Sequence, residues 1–112
     1  MSKEPKEYLR HIYDECQFLL SVSKDLSEEN SLKDETLKRA VVRSLEIIGE
    51  ATKKIPADIK ILWKTIQWKN MAGMRDRLIH DYMGVNYTIV WDVVQNKIPD
   101  IAEQISKYLS EE

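Results

Sequence analysis

Apolar residues recur every three or four positions along almost the whole chain, the spacing that turns one side of an α-helix inward. After Pro5, which suits the first turn of a helix, Tyr8, Ile12, Cys16, Leu19 and Leu20 define one apolar face and predict a first helix. The polar stretch from Ser27 to Ser31 interrupts the pattern, and Asn30 or Ser31 can cap the helix that follows. In that second helix Leu37, Val41, Leu45 and Ile48 form a stripe, flanked by Ala40, Ser44, Ile47 and Ala51, and Pro56 ends it. Gly49 inside it costs about 1 kcal/mol against alanine, a cost that a closely crossing helix would offset.

Residues 57–69, with Ile59, Ile61, Leu62, Trp63, Ile66 and Trp68, predict a short helix and a turn that carry large aromatics into the core. Residues 70–83 predict a further helix, with Gly84 placed as a left-handed C-terminal cap. Segment 87–94 is β-branched enough to pass for a strand, but Tyr87, Val90, Trp91, Val94 and Ile98 keep helical spacing behind an Asn86 cap. Pro99 restarts the chain into a last helix with Ile101, Ile105, Tyr108 and Leu109 inward. Three glycines and three prolines leave little material for hairpins. The expectation is one all-α domain over residues 1–112, an antiparallel up-and-down bundle of four to six helices.

Composition narrows the function. With 43% hydrophobic and 32% charged residues the chain has the make-up of a soluble globular protein, and its length allows one core but no large interior cofactor pocket. A single Cys16 excludes an internal disulfide framework, and His11 and His80 alone are too few for a histidine-rich metal site. No run approaches a membrane span and the N-terminal residues are too charged for a signal peptide, so a cytoplasmic protein is expected. The net charge of −2 is unevenly spread. Residues 53–80 carry seven basic side chains against two acidic ones, a balance of +5 that leaves −7 to the remainder. A polyanion is drawn to that segment and repelled elsewhere, although lysines that merely solvate helix faces give the same count.

Candidate chemistry concentrates in Arg75-Asp76-Arg77-Leu78-Ile79-His80-Asp81-Tyr82. Arginine offers planar donors to a phosphate, and histidine transfers protons in both directions near neutral pH. Together they meet the minimum for cutting RNA without a metal or cofactor: an imidazole removes the 2′-hydroxyl proton while a guanidinium stabilises charge on the transition state. Asp76 precedes His80 by four residues, where a carboxylate can orient the ring. Arg75 and His80 diverge by roughly 140° on a straight helix, so either the helix unwinds or a second copy of the motif completes the site in a symmetric dimer. Paired charges on an ordinary surface helix account for the same spacing. His11 beside Arg10 and Asp14 reads as a surface residue, Cys16 as core, and Trp63, Trp68 and Trp91 as core rather than base-stacking platforms; Glu50 can reach Arg75 or Arg77, or be solvated or paired elsewhere.

The string from Gly73 to Tyr82, preceded by Trp68 and followed by Trp91-Asp-Val-Val and Ile98-Pro99, resembles the HepT-like branch of the HEPN superfamily. Ile48-Gly49-Glu50-Ala51 resembles it too, so the likeness spans most of the chain. This resemblance implies a homodimer or higher even oligomer and an RNase site made by Arg75 and His80 of both subunits, with Asp76 and Arg77 supporting. It further implies a toxin-antitoxin role with a minimal nucleotidyltransferase as antitoxin, and Tyr82 as the acceptor of transferred AMP. Many relatives in that superfamily carry Asn after the arginine; here Asp76 weakens phosphate attraction locally while supporting a protonated His80. Two other readings stand beside this one: a catalytically silent subunit that binds and regulates the nucleotidyltransferase, and a helical dimerisation module that contacts RNA without cutting it.

Overall fold

Helix formation follows the apolar stripes through residues 5–79 and 86–110, the part of the chain that the computed structural model describes, side chains of Arg75, Arg77, Leu78 and Ile79 excepted. The described residues form α1 (Pro5–Ser23), α2 (Glu28–Lys33), α3 (Glu35–Lys53), α4 (Ala57–Leu62), α5 (Trp68–Ile79), α6 (Tyr87–Asn96) and α7 (Ile98–Ser110). The all-α bundle expected from the spacing is therefore present, with one helix more than the pattern resolved. The extra element is α2, in the polar stretch read as an interruption. Its start is set by Ser27, whose Oγ accepts a hydrogen bond from the Asn30 amide at 3.1 Å. Neither Asn30 nor Ser31 caps the following helix; Asp34 does, accepting from the Leu37 amide at 3.0 Å.

α3 occupies the middle of the bundle, packing on α1 along one side and on α5 along another, while α1 also packs on α7 and α6 on both α7 and α1. The predicted stripe of α3 is buried at Val41, Leu45, Ile48 and Ala51, and Gly49 is buried beside it. In α1 the buried line runs through Leu9, Ile12, Cys16 and Leu19, with Tyr8 and Leu20 packed against it. Two polar groups within this core have partners. Ser44 Oγ donates to Glu15 Oε1 at 2.7 Å and ties α3 to α1, and the fully buried Thr52 donates to the Ile48 carbonyl at 2.7 Å.

The β-branched segment is helical, as its spacing requires: α6 starts at Asn86, whose Oδ1 accepts from the Thr88 and Ile89 amides at 3.0 and 3.3 Å. A one-residue joint at Lys97 leads into α7, where Pro99 lies in the first turn and Ile101 and Ile105 are buried. Of the three tryptophans, Trp68 is buried, while Trp63 and Trp91 are only half-buried. α4 buries none of its own residues and leaves Ile61 and Leu62 exposed at 72% and 75%. The proposed Gly84 cap lies outside the described residues. No described helix is long and apolar enough to cross a membrane.

Cys16 has no solvent exposure, and burial, with the Glu15 carboxylate adding to it, pushes its thiol up from 9.0 to about 12. A thiol whose native pKa lies above its unfolded value stabilises the fold below the unfolded value and loses that contribution as pH rises toward the native one. The urea midpoint of the wild type should therefore fall from about pH 9 upward more steeply than that of Cys16→Ala. At pH 8 an aromatic disulfide reagent should label Cys16 no faster than the chain unfolds.

Candidate active site

The motif helix is held at its first residue. Trp68 is 7% exposed, and its indole N–H donates to the Trp63 carbonyl at 3.0 Å. Trp63 in turn meets Tyr108 of α7 edge-on, ring centres 5.1 Å apart at 69°. About one and two turns on, Met71 and Met74 are buried, which sets the rotation of α5 where it packs on α3. That rotation leaves Lys69, Asn70 and Asp76 facing solvent. Gly73 lies on the same helix with open space around it: a Cβ built there meets nothing within 4 Å.

Arg75, Asp76 and Arg77 all fall within the continuous helix, which runs on to Ile79. The helix is regular as far as Ile79, and the unwinding near His80 that is one of the two ways to reconcile Arg75 with His80 falls outside the described residues. His80, Asp81 and Tyr82 lie outside the described residues. Asp76 is brought together with a residue that the motif did not include: Lys53, at the end of α3, places Nζ 3.4 Å from Asp76 Oδ1. Both side chains are about half exposed or more, at 43% and 64%, so the pair contributes about 0–1 kcal/mol to stability. Its electrostatic effect is local: a cation now stands beside the carboxylate that follows Arg75. No motif could reveal Lys53, because the two residues are 23 positions apart and meet only through the packing of α3 on α5.

The remaining candidates resolve more simply. His11 is exposed on α1, the surface position expected of it. Cys16 is core. Glu50 Oε1 lies 4.0 Å from Nη1 of Arg43, one of the ion-paired roles left open for it.

Comparison with known proteins points in one direction. The ribonuclease HepT-like family profile matches residues 12–108. The chain is similar to "Putative RNase TTE0752" of Caldanaerobacter subterraneus subsp. tengcongensis, with 47% identity over 110 residues that cover 98% of each chain. It is also similar to "Putative RNase MJ0127" of Methanocaldococcus jannaschii, 38% identical over 97% of this chain and 90% of the relative. A third relative, "Probable ribonuclease HepT" of Thermococcus cleftensis, is 39% identical over 96% of this chain and 97% of its own. No solved structure matches.

The two contacts of α5 differ in what they hold. Trp68→Ala, which empties a buried aromatic site, should destabilise the chain by about 3–5 kcal/mol in urea unfolding. Asp76→Asn removes an exposed pair and should shift stability by less than about 1 kcal/mol in the same experiment.

Proposed function

The chain belongs to the ribonuclease HepT-like family, and on that footing we propose that it is a metal-independent endoribonuclease, the toxin of a toxin-antitoxin pair, silenced when a minimal nucleotidyltransferase transfers AMP to Tyr82. The observation that carries this reading is the coincidence of the family match with one helix. Residues 12–108 match the family, and within them α5 carries Arg75, Asp76 and Arg77 on a regular, anchored helix that precedes His80 in the chain. The relatives are named as RNases, which supports RNA as the substrate.

In this mechanism the imidazole of one His80 takes the proton of the ribose 2′-hydroxyl, and the 2′-oxygen forms its bond to phosphorus as the bond to the 5′-oxygen breaks. The imidazolium of a second His80 returns a proton to the leaving oxygen. Arg75 donates to the non-bridging oxygens, whose negative charge grows in the transition state. A homodimer supplies the second histidine, and it also answers the roughly 140° divergence of Arg75 and His80 on a straight helix. Lys53 offsets the charge that Asp76 brings to the phosphate site, which favours an active enzyme over a silent binding subunit.

The deciding assay is incubation of the purified protein with RNA in EDTA. Products should carry 2′,3′-cyclic phosphate and 5′-hydroxyl ends; 5′-phosphate products that need magnesium would overturn the mechanism. His80→Ala should abolish cleavage, and Arg75→Ala should lower it by roughly 100-fold or more, the scale of a lost oxyanion donor. Arg75→Lys should not restore it, since a point charge lacks the bidentate fork. Protein that binds the nucleotidyltransferase but never cuts RNA would instead be a silent subunit.

Control rests on Tyr82. An attached AMP adds negative charge and bulk close in sequence to Arg75 and His80, so it competes with substrate phosphate. Tyr82→Phe should keep most of the RNase activity yet escape inhibition by the partner and ATP. Intact-mass measurement checks it: wild-type protein that is inhibited without gaining the mass of AMP would mean that the antitoxin acts by covering the site.

A further inference from the structure

The structure gathers part of the basic segment into one place away from the Arg75 motif. Lys60 of α4, Lys64 of the following turn and Lys69 of α5 line a single open concavity, together with the amide side chains of Gln67 and Asn70. Lys64 and Lys69 are exposed and Lys60 is half-buried, and none of the three ammonium groups has a carboxylate within 4.0 Å among the described residues. Lys33, Lys38, Lys53 and Lys107 are each paired with a carboxylate, whereas Lys24, Lys54 and Lys97 also have none within 4.0 Å among the described residues; what sets Lys60, Lys64 and Lys69 apart is that they share one concavity. Like charges that border one hollow repel one another, and no described carboxylate offsets them. α4 itself contributes no buried residue; Ile55 and Ile66, buried on either side of it, hold it in place.

We propose that this concavity is an anchoring site for the phosphate backbone of single-stranded RNA, beyond the nucleotides that are cut. The inference rests on the ribonuclease reading above and adds to it where the rest of the strand lies. Charge complementarity selects the occupant. The chain as a whole carries −2, so a polyanion finds few attractive surfaces on it, and here three lysines with no carboxylate partner among the described residues border one concavity. The amides are arranged to continue the contact toward the motif. Asn70 Nδ2 donates to Gln67 Oε1 at 2.8 Å, and among the described residues the Gln67 amide hydrogens and the Asn70 oxygen have no other partner, so they can meet RNA polar groups. The same two residues also border an apolar groove of about 170 Å³ along α5, walled by Met71, Met74, Ile89 and Val93. Lys69 and Arg75 are six residues apart on one helix, a rise of about 9 Å and a turn of about 120° around the axis, so a strand that reaches both has to wrap from one face of α5 to the next.

The test uses the full chain and a 2′-O-methyl RNA of about 12 nucleotides, which cannot be cut, so that binding is read whether or not the protein is a nuclease. Lys60→Ala/Lys64→Ala/Lys69→Ala should bind it roughly tenfold or more weakly at low salt, and the slope of log affinity against log salt should fall by about 2, since each phosphate contact on a single strand contributes about 0.7. A charge-matched control, Lys24→Ala/Lys33→Ala/Lys107→Ala, should stay within about twofold of wild type with an unchanged slope. With unmodified RNA the first triple variant should raise KM for the long strand and leave cleavage of a dinucleotide unaltered. Equal effects of the two triple variants, or no change in slope, would overturn the site. So would unchanged RNA affinity accompanied by loss of oligomerisation or of antitoxin binding, which would assign the concavity to a protein contact. Wild-type protein that binds the long strand through these lysines but never cuts RNA would sink the nuclease reading while leaving the anchoring site standing.

Discussion

α3 has to satisfy two neighbours at once, and everything else about the molecule is arranged around that constraint. Its stripe from Val41 to Ala51 is wide enough to bury against α1 and α5 together, so a helix studded with charged residues still becomes the centre of the core. Where its surface turns polar, the hydrogen bonds are made internally or to a neighbour: Thr52 to its own backbone, Ser44 to Glu15 of α1. Leaving either group unmade in the interior would cost more than the bond contributes when formed. A central helix that fixes both partners also fixes their relation to each other, and α5 inherits its position from that geometry.

The motif is legible in the chain because its chemistry is local, and the surroundings are less so because they are not. Spacing alone identifies α1, α3, α6 and α7, and it overrules β-branched composition in α6, where an Asn86 cap agrees with the helical period. It fails at α2, a six-residue helix whose one buried residue is Ser31; such an element leaves no apolar stripe to read and exists through its Ser27 cap and its contact with α3. It also credits apolar residues with burial they do not reach. Ile61 and Leu62 sit on a helix too short to pack, and Trp91 stays half-buried.

Around the motif the same division holds. Arg75, Asp76 and Arg77 can be picked out from residue type and spacing, but Lys53 could not, since helix packing rather than sequence distance brings it to Asp76. The excess of basic residues between positions 53 and 80 is visible as a count. What folding adds is a placement of some of those residues: Lys53 neutralises a carboxylate beside the motif, and Lys60, Lys64 and Lys69, with no carboxylate partner among the described residues, border a shared hollow. A charge run tells how much electrostatic potential a segment carries, whereas only the fold tells where it points.

The burial of Cys16 makes this chain a convenient object for site-directed chemistry. Its one thiol is enclosed between helices and held protonated, so it is silent toward electrophiles while the protein is folded. A cysteine introduced on the surface would then be the sole reactive sulfur, with no native residue to remove first. Gly73 is the natural place for it, because a side chain there meets open space and lies on the helix that carries Arg75. A fluorophore or spin label on that sulfur would report from the helix that carries Arg75, attached through a Cβ that meets no described atom within 4 Å.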